Sequence, residues 1–140
     1  MRANGVENYR QKTPKNAVEV AEVLLRAGGD VNAVAGIYGG SDTLGLAATS
    51  VWPFLADVQE ALIDILLEHR ANLHNERLVN TRLANGRGQA AEHLAKRGAA
   101  LDLEGAAGVG RLDLAKTFFN EDGSLRTNAT QMQMECGSGA

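Results

Sequence analysis

"LLRAGGDVN" (residues 24–32) is echoed three times along the chain, as "LLEHRANLH" (66–74), "LAKRGAALD" (94–102) and, more loosely, "FFNEDGSLR" (118–126). In the first copy, Val18, Ala21, Leu24 and Leu25 recur at the spacing of one helix face. Gly28 and Gly29 follow, and glycine takes the left-handed conformation that ends a helix at little steric cost. The phrase therefore reads as the end of a core helix, its stop and its exit into a turn. Recurrence of such a phrase predicts a repeat architecture, in which each unit buries its apolar stripe against a neighbour.

Working outward, Thr13-Pro14 marks a helix start, with Thr13 as cap and Pro14 at the first helical position. The first helix then covers 14–27. Residues 32–41, "NAVAGIYGGS", read as an exposed turn or hairpin. Asp42 is a good cap for the short apolar face Leu44, Ala47 and Ala48. "VWPFLADVQ" (51–59) contains Pro53, which predicts a loop or a helix break. A strong helix follows at 60–69. Short helix, tight turn and longer helix then alternate: 78–84, "NGRG" (85–88), 89–97 stopped by Gly98, 103–107, "GVG" (108–110) and 111–119. No sustained period-two alternation predicts a long strand.

The composition agrees. Hydrophobic residues make up 44% of the chain, which argues against general disorder, while aromatics are only 4%. That mix suits helices packed through Ala, Leu, Val and Gly. The net charge of −3, with acids and bases mixed, presents no basic stripe for nucleic acid. No stretch approaches the ~18 apolar residues of a membrane span. Cys136, alone, forms no internal disulfide, and the N-terminus lacks the apolar run of a secretory signal. A soluble cytoplasmic protein is expected.

These stretches resemble the ankyrin repeat family, whose period is about 33 residues: a turn and two antiparallel helices. "DTLGLAA" (42–48) matches the opening of the first helix, "NG" (85–86) the inter-helix turn, and "EVAEVLLRAGGDVNA" (19–33) the second helix with its exit; "GRLDLAKTFF" (110–119) fits the second-helix pattern. The resemblance covers roughly 14–126. It implies an all-α solenoid of about four irregular repeats over 1–127, with 128–140 a partial repeat or tail. The spacing departs from the family: Leu24 to Leu66 is 42 residues, Leu66 to Leu94 is 28, and Leu94 to Phe118 is 24. The surplus falls at 51–59. "ALDLEGAAG" leaves almost no room for a projecting finger, so later fingers are expected to be short or missing. Thr43 and Gly45 replace the family's Pro and His, which removes the His-centred bonds between neighbouring turns.

Chemistry-bearing patterns are sparse. His69, His74 and His93 lack metal-ligand spacing, so no metal and no cofactor are expected. "GRGQAA" (86–91) matches a bare Gly-x-Gly-x-x-Ala, but a helix rather than a strand should precede it. Serines 41, 50, 124 and 138 sit in turns or at the tail, without a recognisable base. An enzyme is not the expected reading.

The resemblance implies protein binding through the concave face and fingers, the first finger being 33–42 and the next near 74–77. Candidate partner-binding residues are Tyr38 at the first tip, Asp42, Trp52 and Phe54 in the insertion, and Asn75, Arg77 and Arg82 near the second finger. Trp52 and Phe54 either anchor the insertion inward or, exposed, act as hot spots. Leu24, Leu25, Leu66, Leu67, Phe118 and Phe119 are expected in the core. Two further readings stand beside a scaffold for an unidentified protein partner: a self-associating module (a homodimer) using an uncovered C-terminal face, and a small-molecule pocket at 51–59. In "ATQMQMECGSGA" (129–140), Met132 and Met134 are expected to touch Phe118 and Phe119, unless the segment is a frayed tail.

Overall fold

A computed structural model describes residues 12–75 and 77–127. Its elements are α1 (Ala17–Arg26), β1 (Val34–Ala35), β2 (Ser41–Asp42), α2 (Thr43–Thr49), α3 (Val51–Leu55), α4 (Gln59–Glu68), α5 (Leu78–Ala84), α6 (Gly88–Lys96), α7 (Leu103–Gly108) and α8 (Leu112–Lys116). The fold is all-α, and β1–β2 is the only sheet among the described residues. The chain divides into two compact units that meet in sequence at Arg70 and Ala71.

Six of the eight helices end in the same way. One residue past the cap takes positive φ: Gly28, Asp57, Arg70, Gly86, Gly98 and Gly110. Its N–H turns back to a carbonyl of the last turn, as Gly98 does to Ala95 at 3.0 Å. In five of the six, the next N–H also reaches back, as Ala99 does to Leu94 at 3.0 Å. This Schellman arrangement satisfies carbonyls that a helix end leaves without partners. The three well-matched copies of the repeated phrase each place the same position here: Gly28, Arg70 and Gly98.

The reversals also locate the drift in spacing. From inter-helix turn to exit the interval is nearly constant, 13 residues (57 to 70) and 12 (86 to 98). From exit to inter-helix turn it varies widely: 29 (28 to 57), 16 (70 to 86) and 12 (98 to 110). The two intervals that span α4 and α6 thus stay within one residue of each other, and the change in spacing falls in the segments that precede these helices.

In the N-terminal unit, α4 packs against α1, α2 and α3. Leu44, Ala48, Pro53, Ile63, Ile65 and Leu66 are buried. The expected helix break is present, at Ser50 between α2 and α3. Ser50 caps α3, so Pro53 falls in its first turn, where an N–H has no intrahelical acceptor to lose. The insertion is therefore a second short helix rather than a loop. The break between α2 and α3 is sealed by Gln59, which is buried. Its Nε2 donates to the carbonyls of Ala47 (3.0 Å), Ala48 (3.3 Å) and Ser50 (2.9 Å).

In the C-terminal unit α5 packs on α6 and α7, and α7 on α8. Leu78, Val79, Ala90, Ala91, Leu94, Leu101, Ala106 and Phe118 are buried. Asp102 caps α7 by accepting from the Gly105 N–H at 2.7 Å, as Asp42 caps α2 by accepting from Gly45 at 2.7 Å. Asn80 on α5 donates to the second oxygen of Asp102 at 2.8 Å. An amide–carboxylate bond thus links α5 to the start of α7. A side chain at Gly105 would crowd this bond: a Cβ there would lie 2.9 Å from Asn80 Oδ1 and 3.2 Å from Asp102 Oδ1.

Several expectations are corrected. Helix α1 starts at Ala17, after a turn in which the Ala17 N–H meets the Pro14 carbonyl, so Thr13 is not its cap. Leu24 and Phe119 are exposed rather than core, whereas Leu66 and Phe118 are buried as expected. The fourth copy of the phrase is no helix exit. Helix α8 stops at Lys116, and Phe119 and Leu125 form an antiparallel bridge that closes a tight turn. No strand lies between α6 and α7. Residues 128–140, with the expected contacts of Met132 and Met134 and with Cys136, lie outside the described residues.

Two outcomes follow for stability, both read by urea unfolding. The space around a Cβ at Gly98 is open apart from Leu73 Cδ2 at 3.9 Å, so Gly98→Ala should cost about 1 kcal/mol through backbone strain alone, and Arg70→Gly should stabilise by about 0.5–1 kcal/mol. Gln59→Ala should cost about 2–3 kcal/mol by leaving carbonyls without donors, and Gln59→Glu should cost more because it sets a carboxylate against them.

Candidate functional site

The segment leaving α1 is tied down at its root. Asp30 Oδ1 accepts from the Asn32 N–H at 2.9 Å, and the Ala33 N–H meets the Asp30 carbonyl at 3.2 Å. Asn32 Nδ2 donates to the Arg70 carbonyl at 3.2 Å, so the first copy of the repeated phrase grips the second. The chain then rises as an antiparallel ladder with Val34 opposite Asp42 and Ala35 opposite Ser41. A 3-10 turn at Gly36–Tyr38 and two positive-φ glycines, Gly39 and Gly40, close it. Ser41 Oγ donates to the Tyr38 carbonyl at 3.0 Å. The exposed hairpin expected at 32–41 is present.

Its tip is apolar and open to solvent. Ile37 is 86% exposed and Tyr38 61%, with Val34 also exposed below them. Sequence reasoning picked Tyr38 and missed Ile37. The signal was available: a large aliphatic residue between glycines in a turn has no core to enter. Trp52, Phe54 and Leu55 on α3 are also exposed, although Pro53 between them is buried. Trp52 and Phe54 therefore do not act as buried anchors of the insertion.

The remaining candidates separate. Asp42 is half-buried and spends a carboxylate oxygen on the α2 cap, so it is a structural residue at the finger's base. Asn75 and Arg77 are exposed, and Asn75 Oδ1 accepts from the Arg77 N–H at 3.0 Å in a turn leading into α5. Residues 71–75 contain no strand. Arg82 is a correction: it is only 6% exposed, and its guanidinium donates to the Leu78 carbonyl at 3.0 Å. Its position on the core side of α5 removes it from any docking surface. In Gly86-x-Gly88, helix α5 precedes the glycines, and Gly86 serves as a helix reversal.

Three surface carboxylates have displaced pKa values, all downward and all through local partners. Lys96 lowers Glu92 by hydrogen bond and charge, and Ser124 lowers Asp122 by hydrogen bonding. Arg111 lowers Asp113 to about 2 through a two-pronged contact, Nε to Oδ1 at 2.9 Å and a terminal nitrogen to Oδ2 at 2.6 Å. A general acid would need the opposite direction. Among the described residues, no three His, Cys, Asp or Glu side chains gather as a metal site, and no helix is long and apolar enough to cross a membrane.

No family model, curated protein or solved structure matches this chain.

The Asp113 carboxyl should titrate near 2 in the folded protein, followed by side-chain carbon NMR, and Arg111→Ala should return it towards the ordinary value of 3.8. Because the folded value is depressed, the contact's contribution to stability is complete above the ordinary value and lost as pH falls through about 2.

Proposed function

We propose that this protein is a binding scaffold of irregular ankyrin-like repeats that captures a protein partner through its projecting finger. The observation that carries this reading is the finger itself. Ile37 and Tyr38 stand exposed at the tip of a hairpin whose root is held by Asn32, Asp42 and the β1–β2 ladder. A preorganised apolar tip costs little ordering entropy on binding, and a rigid aromatic beside an aliphatic residue suits a hot spot. The exposed Trp52 and Phe54 add apolar surface on α3 of the same unit.

The repeat reading is supported by the recurrent left-handed reversals and the similar intervals across α4 and α6. The matching Asp caps, Asp42-x-x-Gly45 and Asp102-x-x-Gly105, support it further. In a pull-down from source lysate, Ile37→Asp combined with Tyr38→Ala should lower capture of the bound protein by about tenfold or more, with the urea midpoint unchanged. Equal capture by the variant would overturn the finger as the docking site.

A further inference from the structure

The three well-matched copies of the repeated phrase offer an internal comparison. Leu24, Leu66 and Leu94 occupy the same position at a helix end. Leu66 and Leu94 are 4% and 0% exposed, and Leu24 is 61% exposed. Val23 is likewise exposed where its counterpart Ile65 is buried, and Val20 completes an outward apolar stripe. The buried copies share a cause: α4 is packed by α2 and α3, and α6 by α5. Helix α1 packs on α4, and its more sheltered residues are Val18, Ala21 and Leu25. The stripe Val20, Val23 and Leu24 is therefore a surface built to receive a helix.

We propose that a second copy of this chain lays its own α1 antiparallel on that stripe, making a symmetric dimer. Charge selects this occupant and orientation. Glu19 lies in the first turn of α1 and Arg26 in the last. Seven residues is about two helical turns, so both stand on one flank of the stripe. A twofold axis across an antiparallel pair sets Glu19 of each copy beside Arg26 of the other, and it opposes the two helix dipoles. A parallel twofold pair sets the Glu19–Arg26 flanks of the two copies on opposite sides of the seam and forms no such pair. Arg26 contacts Glu22 at 2.5 Å within its own helix, yet both side chains keep solvent access and Arg26 can bridge two carboxylates. A face only ten residues long makes a small interface, so the dimer is weak. The proposal is independent of the finger reading, which concerns different residues and a different partner.

Sedimentation equilibrium from about 1 μM to about 1 mM tests it, a range that spans weak association. The wild type should shift from monomer to dimer, and Leu24→Glu should stay monomeric with an unchanged far-UV circular dichroism spectrum. Glu19→Arg and Arg26→Glu should each weaken association about threefold or more, and the double variant should regain it. This charge-swap series touches only the exposed flank, so it decides the matter whether or not Leu24→Glu keeps its fold. A monomer throughout, a dimer that survives Leu24→Glu, or a double variant no better than the single ones would each overturn the proposal.

Discussion

The architecture depends on a backbone reversal at positive φ, used at the ends of six helices. It meets two demands at once: it gives partners to the carbonyls a helix end strands, and it turns the chain sharply enough for the next short helix to pack. Helices of five to ten residues are too short to persist alone in water, so each depends on being returned promptly to a neighbour. Glycine serves at four of these sites, and Asp57 and Arg70 accept the strain at the others. The nearly constant interval across the second helices keeps Leu66 and Leu94 in one phase with their turns. Variation is pushed into the segment between exit and turn, where the finger and the extra helix α3 appear.

Where that variation breaks the backbone ladder, side chains repair it. Gln59 supplies donors to carbonyls around the α2–α3 break, Asp42 and Asp102 take N–H groups at helix starts, and Asn80 reaches from α5 to the cap of α7. Unpartnered backbone groups in a buried setting would otherwise be costly, so these few polar side chains permit the irregular spacing. Small residues do the complementary work. Gly105 leaves room for the Asn80–Asp102 bond, and buried alanines such as Ala48, Ala91 and Ala106 let helices approach closely.

Close packing through small residues has a further consequence. The large apolar side chains are not all needed inside, and in the N-terminal unit several stand outside: Ile37 and Tyr38 on the finger, Trp52 and Phe54 on α3, and Val23 and Leu24 on α1. Exposed single apolar residues are common, but clusters on a tied hairpin and along one helix stripe mark surfaces that gain by being covered. Association at such places asks little reorganisation of the fold beneath them.

The sequence by itself determined the helical class, the glycine stops, the finger at 33–42 and the place of the insertion, because these rest on local physics: φ preferences, caps and the period of apolar residues. Tertiary structure alone decided which apolar positions face inward. Leu24 and Leu66 sit in the same phrase, yet only Leu66 has a helix laid over it, and no local pattern records whether a neighbour is present. Gln59 is a surface residue by type, and its burial follows from carbonyls that the α2–α3 break brings within reach, while Arg82 is buried on the inner side of α5 against the Leu78 carbonyl of its own helix. Pro53 read as a breaker because the N-cap at Ser50, which makes its position harmless, became visible only once the chain was folded.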